Sequence, residues 1–548
     1  MHDVALHQAY DWEAKRPDTL WLTQPTGGGA IKTYTWGEAM GEARRMAAHL
    51  VSLDLPPKSN IALFSKNSAW WLLADLAIWM AGHVSVPLYP TLDHKTIRAI
   101  LDHSGSKLIF VGKLDGFEAM KPGIPDDLPV IALPLSPPTD YDQWDAIVGR
   151  TEPLTDSPKR DGAELATIVY TSGSTGMPKG VMTSFAGMTA AVKEMNQLIS
   201  VSSDDRMLSY LPLAHVVERL LVETGSLQYG YSLFFAESLE TFVADLARAR
   251  PTVFVSVPRL WLKFQLGVFS KMPKKKLSRL LKIPIVRGIV GKKVLGGLGL
   301  DATRFAISGS APIPAELIDW YRSLGLELLE AYGMSENFGY SHGNKPGHVR
   351  VGTVGTPHPG VECKLSEAGE ILVRSPGTMM GYYKEPEMTA AVLSEDGWLS
   401  TGDRGAIEPS GHLRITGRVK EIFKTSKGKY VAPAPIENQL LVHDALELAC
   451  VSGSGQAQPF AMVVLAEDLR PNPDRAAITP ALEALRKTVN ANVDHHEQLH
   501  CIVVMAGEWS IENGSLTPTM KLKRGAIEEA SEPSWAGWYE QGPGVVWQ

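Results

Sequence analysis

The sequence predicts a layered α/β protein with several, largely parallel sheets, followed by a smaller α+β unit. Two observations carry that prediction. Through much of the chain, short β-rich runs alternate with amphipathic helical stretches, the pattern expected when helices cover parallel strands. Beyond about residue 350 the texture changes to short strands and glycine turns, as in GEILVRSPG and GHLRITGR. No solenoid-period repeat and no long low-complexity tract competes with this reading.

Taken in order, the N-terminal MHDVALHQAYDWEAKRPDTLWL carries charge from its third residue and has no apolar signal-peptide core, so a cytoplasmic location is expected. AWWLLADLAIWMA (69–81) is the most apolar stretch, yet it is too short to span a bilayer and has Asp75 in its middle. It reads as a buried helix. HKTIRAILDHSG (94–105) is helical and leads into a strand in KLIFVG, and TVFVSVP and RFAISGS read as buried strands. Pro314 opens a helix AELIDWYRSL that Gly325 closes, before LELLEAYG begins another strand. The α+β unit begins near Arg418, which divides the chain into 1–419 and 420–548.

Composition narrows the function classes. The 548 residues carry 53 basic and 60 acidic side chains, a net charge of −7, with 44% hydrophobic and 21% charged residues. That excludes a collagen, a long disordered chain and a globally basic nucleic-acid binder. Cys363, Cys450 and Cys501 are far apart and form no metal-ligand spacing, so neither a disulfide framework nor a structural zinc site is expected.

The most informative string is YTSGSTGMPKG (170–180), preceded by the apolar LATIV. It gathers Thr171, Ser172, Ser174 and Thr175, the glycines Gly173, Gly176 and Gly180, and Lys179 into one loop. Glycines let the backbone approach closely, hydroxyls and N–H groups donate, and lysine adds charge, so the loop can wrap an oligophosphate. A Walker A loop is excluded because Lys179 follows Pro178 rather than glycine and no hydroxyl follows it. The loop also lacks the G-x-G-x-x-G of a dinucleotide site.

Further strings follow: LPLAHVVER (211–219), SGSAPIP (308–314), AYGMSE (331–336), STGDRG (400–405), GRVKEIFKTSKGKYVAP (417–433) and LTPTMKLKR (516–524). Together with the loop, and in this order, they make nearly the whole chain resemble the acyl-adenylate-forming, or AMP-binding, superfamily. LPLAHVVER and KGKYVAPAPIEN are similar to long-chain fatty acyl-CoA synthetases, and AYGMSE to their bubblegum-type branch. The resemblance implies a large multi-sheet adenylate-forming domain and a smaller mobile C-terminal domain.

It also implies roles. Thr171 to Lys179 would cover the β- and γ-phosphates, with Ser335 and Glu336 near the α-phosphate and Mg²⁺, where Glu336 is the metal ligand. The family usually has threonine at Ser335, and the hydroxyl is kept. Gly309, Ser310, Ala311 and Pro312, with Tyr332 and Gly333, would form the adenine slot. Asp403 would accept the ribose hydroxyls and Arg418 would donate to them. His215 would stand at the acyl-carboxylate end, where amino-acid-activating relatives commonly carry aspartate. Lys521 matches the lysine that reaches the carboxylate and α-phosphate during adenylation, Lys424 the stretch that faces the pocket during thioester formation, and Lys420 the hinge. The TSKGKYVAP stretch is one residue longer than in short-chain and aryl relatives, a length the long-chain branch shares.

The activity implied is a long-chain fatty acid–CoA ligase using ATP, Mg²⁺ and CoA, with no nucleic-acid partner. The alternatives are a ligase for another carboxylic acid or a carrier-protein acceptor, and a catalytically silent lipid- or nucleotide-binding member. One segment stands outside these motifs. KMPKKKLSRLLKIPIVRGIVGKK (271–293) has nine lysines and arginines and no acidic residue. It reads either as a solvated helical face or as a peripheral contact with the inner face of an anionic membrane.

Overall fold

The apolar run at residue 69 forms the helix Ala69–Met80, whose N-terminus is capped by Ser68, and all of its residues are buried, Asp75 included. Asp75 is compatible with that position because Arg219 donates to its Oδ2 at 2.8 Å. The same guanidinium lies 3.4 Å from Glu223, and all three side chains are out of solvent. The computed structural model describes residues 4–171, 178–311, 313–511, 513–517 and 520–548.

This helix belongs to the layer built around an eight-stranded sheet. Its strands run in the order Gly381–Tyr382, Lys179–Ser184, Leu165–Thr171, Val84–Leu88, Asn60–Phe64, Leu108–Val111, Val130–Ala132 and Asp142–Gln143. From Leu165–Thr171 onward the pairing is parallel, whereas the first two strands pair antiparallel. The helix His94–Ser104 feeds this sheet as the sequence predicts, capped by Asp93 and closed by Gly105 at φ 63°.

A second sheet pairs Val253–Ser256, Phe305–Ser308 and Leu328–Tyr332 in parallel, then adds His342–Gly343 and Thr356–Pro357 antiparallel. The helix Ala315–Leu324 connects two of its strands, with Pro314 before it and Gly325 at φ 94° after it. A third sheet joins Arg206–Ser209, Ser232–Phe235, Leu20–Gly27 and Ala30–Thr35. A fourth, antiparallel, joins Glu362–Leu365, Glu370–Arg374, Leu399–Ile407 and Leu413–Arg418.

The chain after residue 420 builds a hairpin of Phe423–Lys424 with Tyr430–Val431 and a sheet of Leu446–Ser452, Phe460–Leu465, Cys501–Val504 and Gly544–Trp547. Two apolar clusters form there, one around Val463, Ile502 and Leu482, the other around Phe460, Trp535 and Trp538. Both are made wholly of residues after 420, so this unit has its own core. The result is the multi-sheet α/β domain followed by a smaller α+β domain that the sequence predicts.

Candidate active site

A cleft of about 2720 Å³ runs between the two units. Its floor is made where parallel strands end, the usual ligand position in open α/β sheets. Leu165–Thr171 brings Thr171 to it, Phe305–Ser308 brings Gly309, Ser310 and Ala311, and Leu328–Tyr332 brings Tyr332 and Gly333. Ser310 holds a left-handed φ of 69°, a conformation that costs a non-glycine residue free energy and recurs at functional sites. Gly333 must be small, since a Cβ there would stand 2.4 Å from the Gly339 carbonyl. Thr171 pairs with Lys179 across the antiparallel strands, so the strands on either side of the glycine-rich string are held in register. Ser172, Gly173, Ser174, Thr175, Gly176 and Pro312 lie outside the described residues.

Asp403 organises the opposite wall. It is buried, and it sits directly across the ladder from Arg418. Tyr332 donates its hydroxyl to Oδ2 at 2.6 Å, and Arg418 donates Nε–H to Oδ1 at 2.9 Å. Burial, then the charge of Asp403, pushes the Tyr332 phenol well above its ordinary pKa, so it remains a donor. The turn before Asp403 is pinned by Gly402 N–H donating to Glu370.

Ser335 and Glu336 occupy a short 3₁₀ turn, Ser335–Asn337, that also lines the cleft. Oε1 of Glu336 accepts from Tyr382 at 2.7 Å. Lys179 lies over the same tyrosine ring, 5.1 Å from its centre. Tyr382 is therefore a cleft residue that the motifs above omit; the GYYKEP string was its only signal in the sequence.

His215 caps the short helix Val216–Glu218, and its Nδ1 accepts the Val217 N–H at 3.2 Å. Burial, then the nearby Lys521 charge, lowers its pKa to about 3. The imidazole is thus neutral, with Nε2 carrying the proton. His215 follows the strand Arg206–Ser209 on a short loop. Glu218 ties that loop down: its Oε1 accepts from Ser209 Oγ, Tyr210 N–H and Asn67 Nδ2. Asn67 did not stand out in the sequence, because its partners Ser209, Leu211 and Glu218 are 142, 144 and 151 residues away.

Lys521 reaches this cluster from the C-terminal unit. Its side chain is open to the cleft yet surrounded by protein, and burial, then the Arg418 charge, lowers its pKa against the pull of Asp403, Glu336 and Glu421. Lys424 lines the same cleft, but its ammonium lies over Tyr430, its partner across the hairpin, 5.4 Å from the ring centre. The structure brings Lys521 to the Glu336–Asp403–His215 group and does not bring Lys424 there. Lys420 is exposed on the turn that follows Leu413–Arg418. The cleft lining also includes an apolar set, Met195, Leu198, Ile199, Val216, Leu220 and Leu221.

Comparison with known proteins identifies the family. Residues 9–383 match the AMP-binding enzyme family and residues 420–541 the AMP-binding enzyme C-terminal domain. The chain is 29% identical to Long-chain-fatty-acid–CoA ligase FadD15 of Mycobacterium bovis, covering 96% of each chain. It is 30% identical to Long chain acyl-CoA synthetase 6, peroxisomal, of Arabidopsis thaliana, over 96% of this chain and 84% of the relative. Long-chain-fatty-acid–CoA ligase 1 of Homo sapiens is also 30% identical, over 85% of this chain and 76% of the relative. Among solved structures, the anthranilate CoA ligase AuaEII in complex with anthranoyl-AMP superimposes with a TM-score of 0.81 at 19% identity, covering 98% of both chains. The A-PCP didomain of carboxylic acid reductase from Segniliparus rugosus, in complex with AMP, gives 0.82 at 21% identity, over 99% of this chain and 82% of that one. The chain belongs to the AMP-binding enzyme family, and it carries both the family's large domain and its C-terminal domain.

Proposed function

We propose that the protein is a long-chain fatty acid–CoA ligase. A medium- to long-chain carboxylate attacks the α-phosphorus of ATP and pyrophosphate leaves; the sulfur of CoA then attacks the acyl carbonyl and AMP leaves. The observation that carries this reading is one cleft that a carboxylate-and-tyrosine pair, Asp403 and Tyr332, shares with a lysine, a neutral histidine and an apolar set of lining residues. The fatty-acid ligase names of the relatives support it. Assignment to the bubblegum-type branch rests on AYGMSE alone.

In this reading Asp403 accepts the ribose hydroxyls through the lone pairs that Tyr332 and Arg418 leave free. The His215 Nε2–H and the Lys521 ammonium orient the acyl carboxylate and offset its charge as it meets the α-phosphate, and Lys179 does so at the outer phosphates. Ser335 and Glu336 offer hard oxygen donors suited to Mg²⁺, and Glu336 Oε2 takes no hydrogen bond among the described residues. Bound there, Mg²⁺ would supply neutralisation of the phosphate charge. No side-chain nucleophile is required, and catalysis is positioning and charge stabilisation. We place the domain boundary at 419/420, with Lys420 as the hinge about which Lys424 replaces Lys521 for thioester formation.

A chain-length series of acids in a pyrophosphate-release assay, run with and without CoA, tests the proposal. Medium- to long-chain fatty acids should lead, with CoA consumed and AMP formed. If acetate, benzoate or an amino acid leads, the substrate class is wrong. If no acid releases pyrophosphate, the protein is a binding member of the fold.

A further inference from the structure

The segment 271–293 contributes nothing to the chemistry above, yet its surface is unusual. It forms two helices, Lys274–Leu281 and Pro284–Gly297, and all nine of its lysines and arginines are exposed. Lys275, Arg279 and Lys282 follow at spacings of four and three, which puts them on one flank, while Leu277 is buried on the other. Ile283, Ile285 and Ile289 stand beside them at 51%, 80% and 67% exposure. Two basic residues tie the segment to the body. Arg287 donates to the carbonyls of Arg322 and Ser323, closing the helix Ala315–Leu324, and Lys274 lies 3.9 Å from Asp444. Among the described residues, Lys275, Lys276, Arg279, Lys282 and Lys293 form no ion pair.

We propose that this face docks on an anionic lipid bilayer. Isoleucines flanked by lysines fit the boundary between head groups and acyl chains, with ammonium groups at the phosphates and β-branched side chains below them. A nucleic-acid backbone would match the charge but leave the isoleucines in water. Among the described residues no helix is long and apolar enough to cross a membrane, so the contact is peripheral. The position adds a consequence. The helix Pro258–Lys271 contributes Arg259 and Leu262 to the cleft wall and ends where the basic segment begins. A docked bilayer would therefore adjoin one wall of the cleft. The docking itself does not depend on the proposed substrate.

Flotation of the full chain with phosphatidylcholine vesicles, and with vesicles containing about one third phosphatidylglycerol, tests it. Binding should require the anionic lipid and fall steeply when salt is raised roughly tenfold. Replacing Lys275, Arg279 and Lys282 by glutamine together should weaken it on the order of 10²-fold, about fivefold for each charge. Ile285→Ser with Ile289→Ser should weaken binding to the same vesicles by a route that charge cannot replace. An unchanged unfolding midpoint shows that each variant is folded, and the isoleucine pair decides the matter if the triple variant is not. Equal binding to neutral vesicles, undiminished binding by both variants, or equally tight binding to duplex DNA would overturn the proposal.

Discussion

Tyr382 donates its hydroxyl to Oε1 of Glu336 at 2.7 Å while its ring lies 5.1 Å from the Lys179 ammonium, so one side chain joins Lys179 to the carboxylate proposed to hold Mg²⁺. Burial, then the Glu336 charge, pushes the phenol upward and keeps it a donor. Tyr382→Phe retains the ring and removes the hydrogen bond. A bond to a charged acceptor of this kind is typically worth about 1.5–3 kcal/mol, so adenylation should fall roughly tenfold or more and require more Mg²⁺. Glu336→Gln should cost about 10²-fold or more, the scale of one preorganised electrostatic element. Pyrophosphate release across a Mg²⁺ titration measures both. An unaltered Mg²⁺ dependence in Tyr382→Phe would mean that Glu336 is held without it.

The two lysines should fail in opposite ways. Lys521→Ala should slow acyl-adenylate formation by roughly 10²- to 10³-fold yet still make thioester from synthetic acyl-adenylate and CoA. Lys424→Ala should form adenylate nearly normally and stall at transfer. In the proposed mechanism the observed positions, Lys521 at the cluster and Lys424 over Tyr430, are those required for adenylation. Lys420→Pro should resemble Lys424→Ala, because a fixed φ restricts the rotation. Equal damage to both half-reactions in the two alanine variants would remove the alternating-domain part of the mechanism.

Glu218 links stability to pH. Burial raises its carboxyl from the ordinary 4.5 to about 8. The folded state therefore keeps a proton that the unfolded chain releases, and the stability this contributes is present below about 4.5 and lost as pH rises through about 8. Glu218→Gln keeps the acceptor for Ser209 and Tyr210 without titrating. Unfolding midpoints measured from pH 5 to 8 should move in favour of Glu218→Gln as pH rises. A constant difference would show that the native carboxyl titrates normally.

Asp75 should matter for stability and little for chemistry. Asp75→Ala leaves the fully buried Arg219 with Glu223 alone, 3.4 Å away. Removing one partner of a buried ion pair costs about 3–5 kcal/mol, far above a typical surface change. Denaturant unfolding monitored by tryptophan fluorescence should report it, because Trp71 and Trp79 flank the Arg219 guanidinium at 5.2 and 5.7 Å.

The amino-acid sequence by itself determines what is local. The helix His94–Ser104 follows from Asp93, an apolar stripe and Gly105, and the helix Ala315–Leu324 from Pro314 and Gly325, because each signal acts within a few residues. The family is legible for a related reason: its motifs are contiguous strings whose order survives without knowledge of the fold. Tertiary structure alone decides what meets across the chain. Asp75 and Arg219 are 144 residues apart, Asn67 and Glu218 are 151 apart, and Tyr382 reaches Glu336 because Gly381–Tyr382 adds to the sheet edge beside Lys179–Ser184. The same is true of the apolar part of the cleft lining, which comes from Phe185–Ile199 and the stretch around Leu220. Such pairs depend on strand order and helix packing, which no local spacing encodes, and they set which charges are buried and how deep the pocket runs.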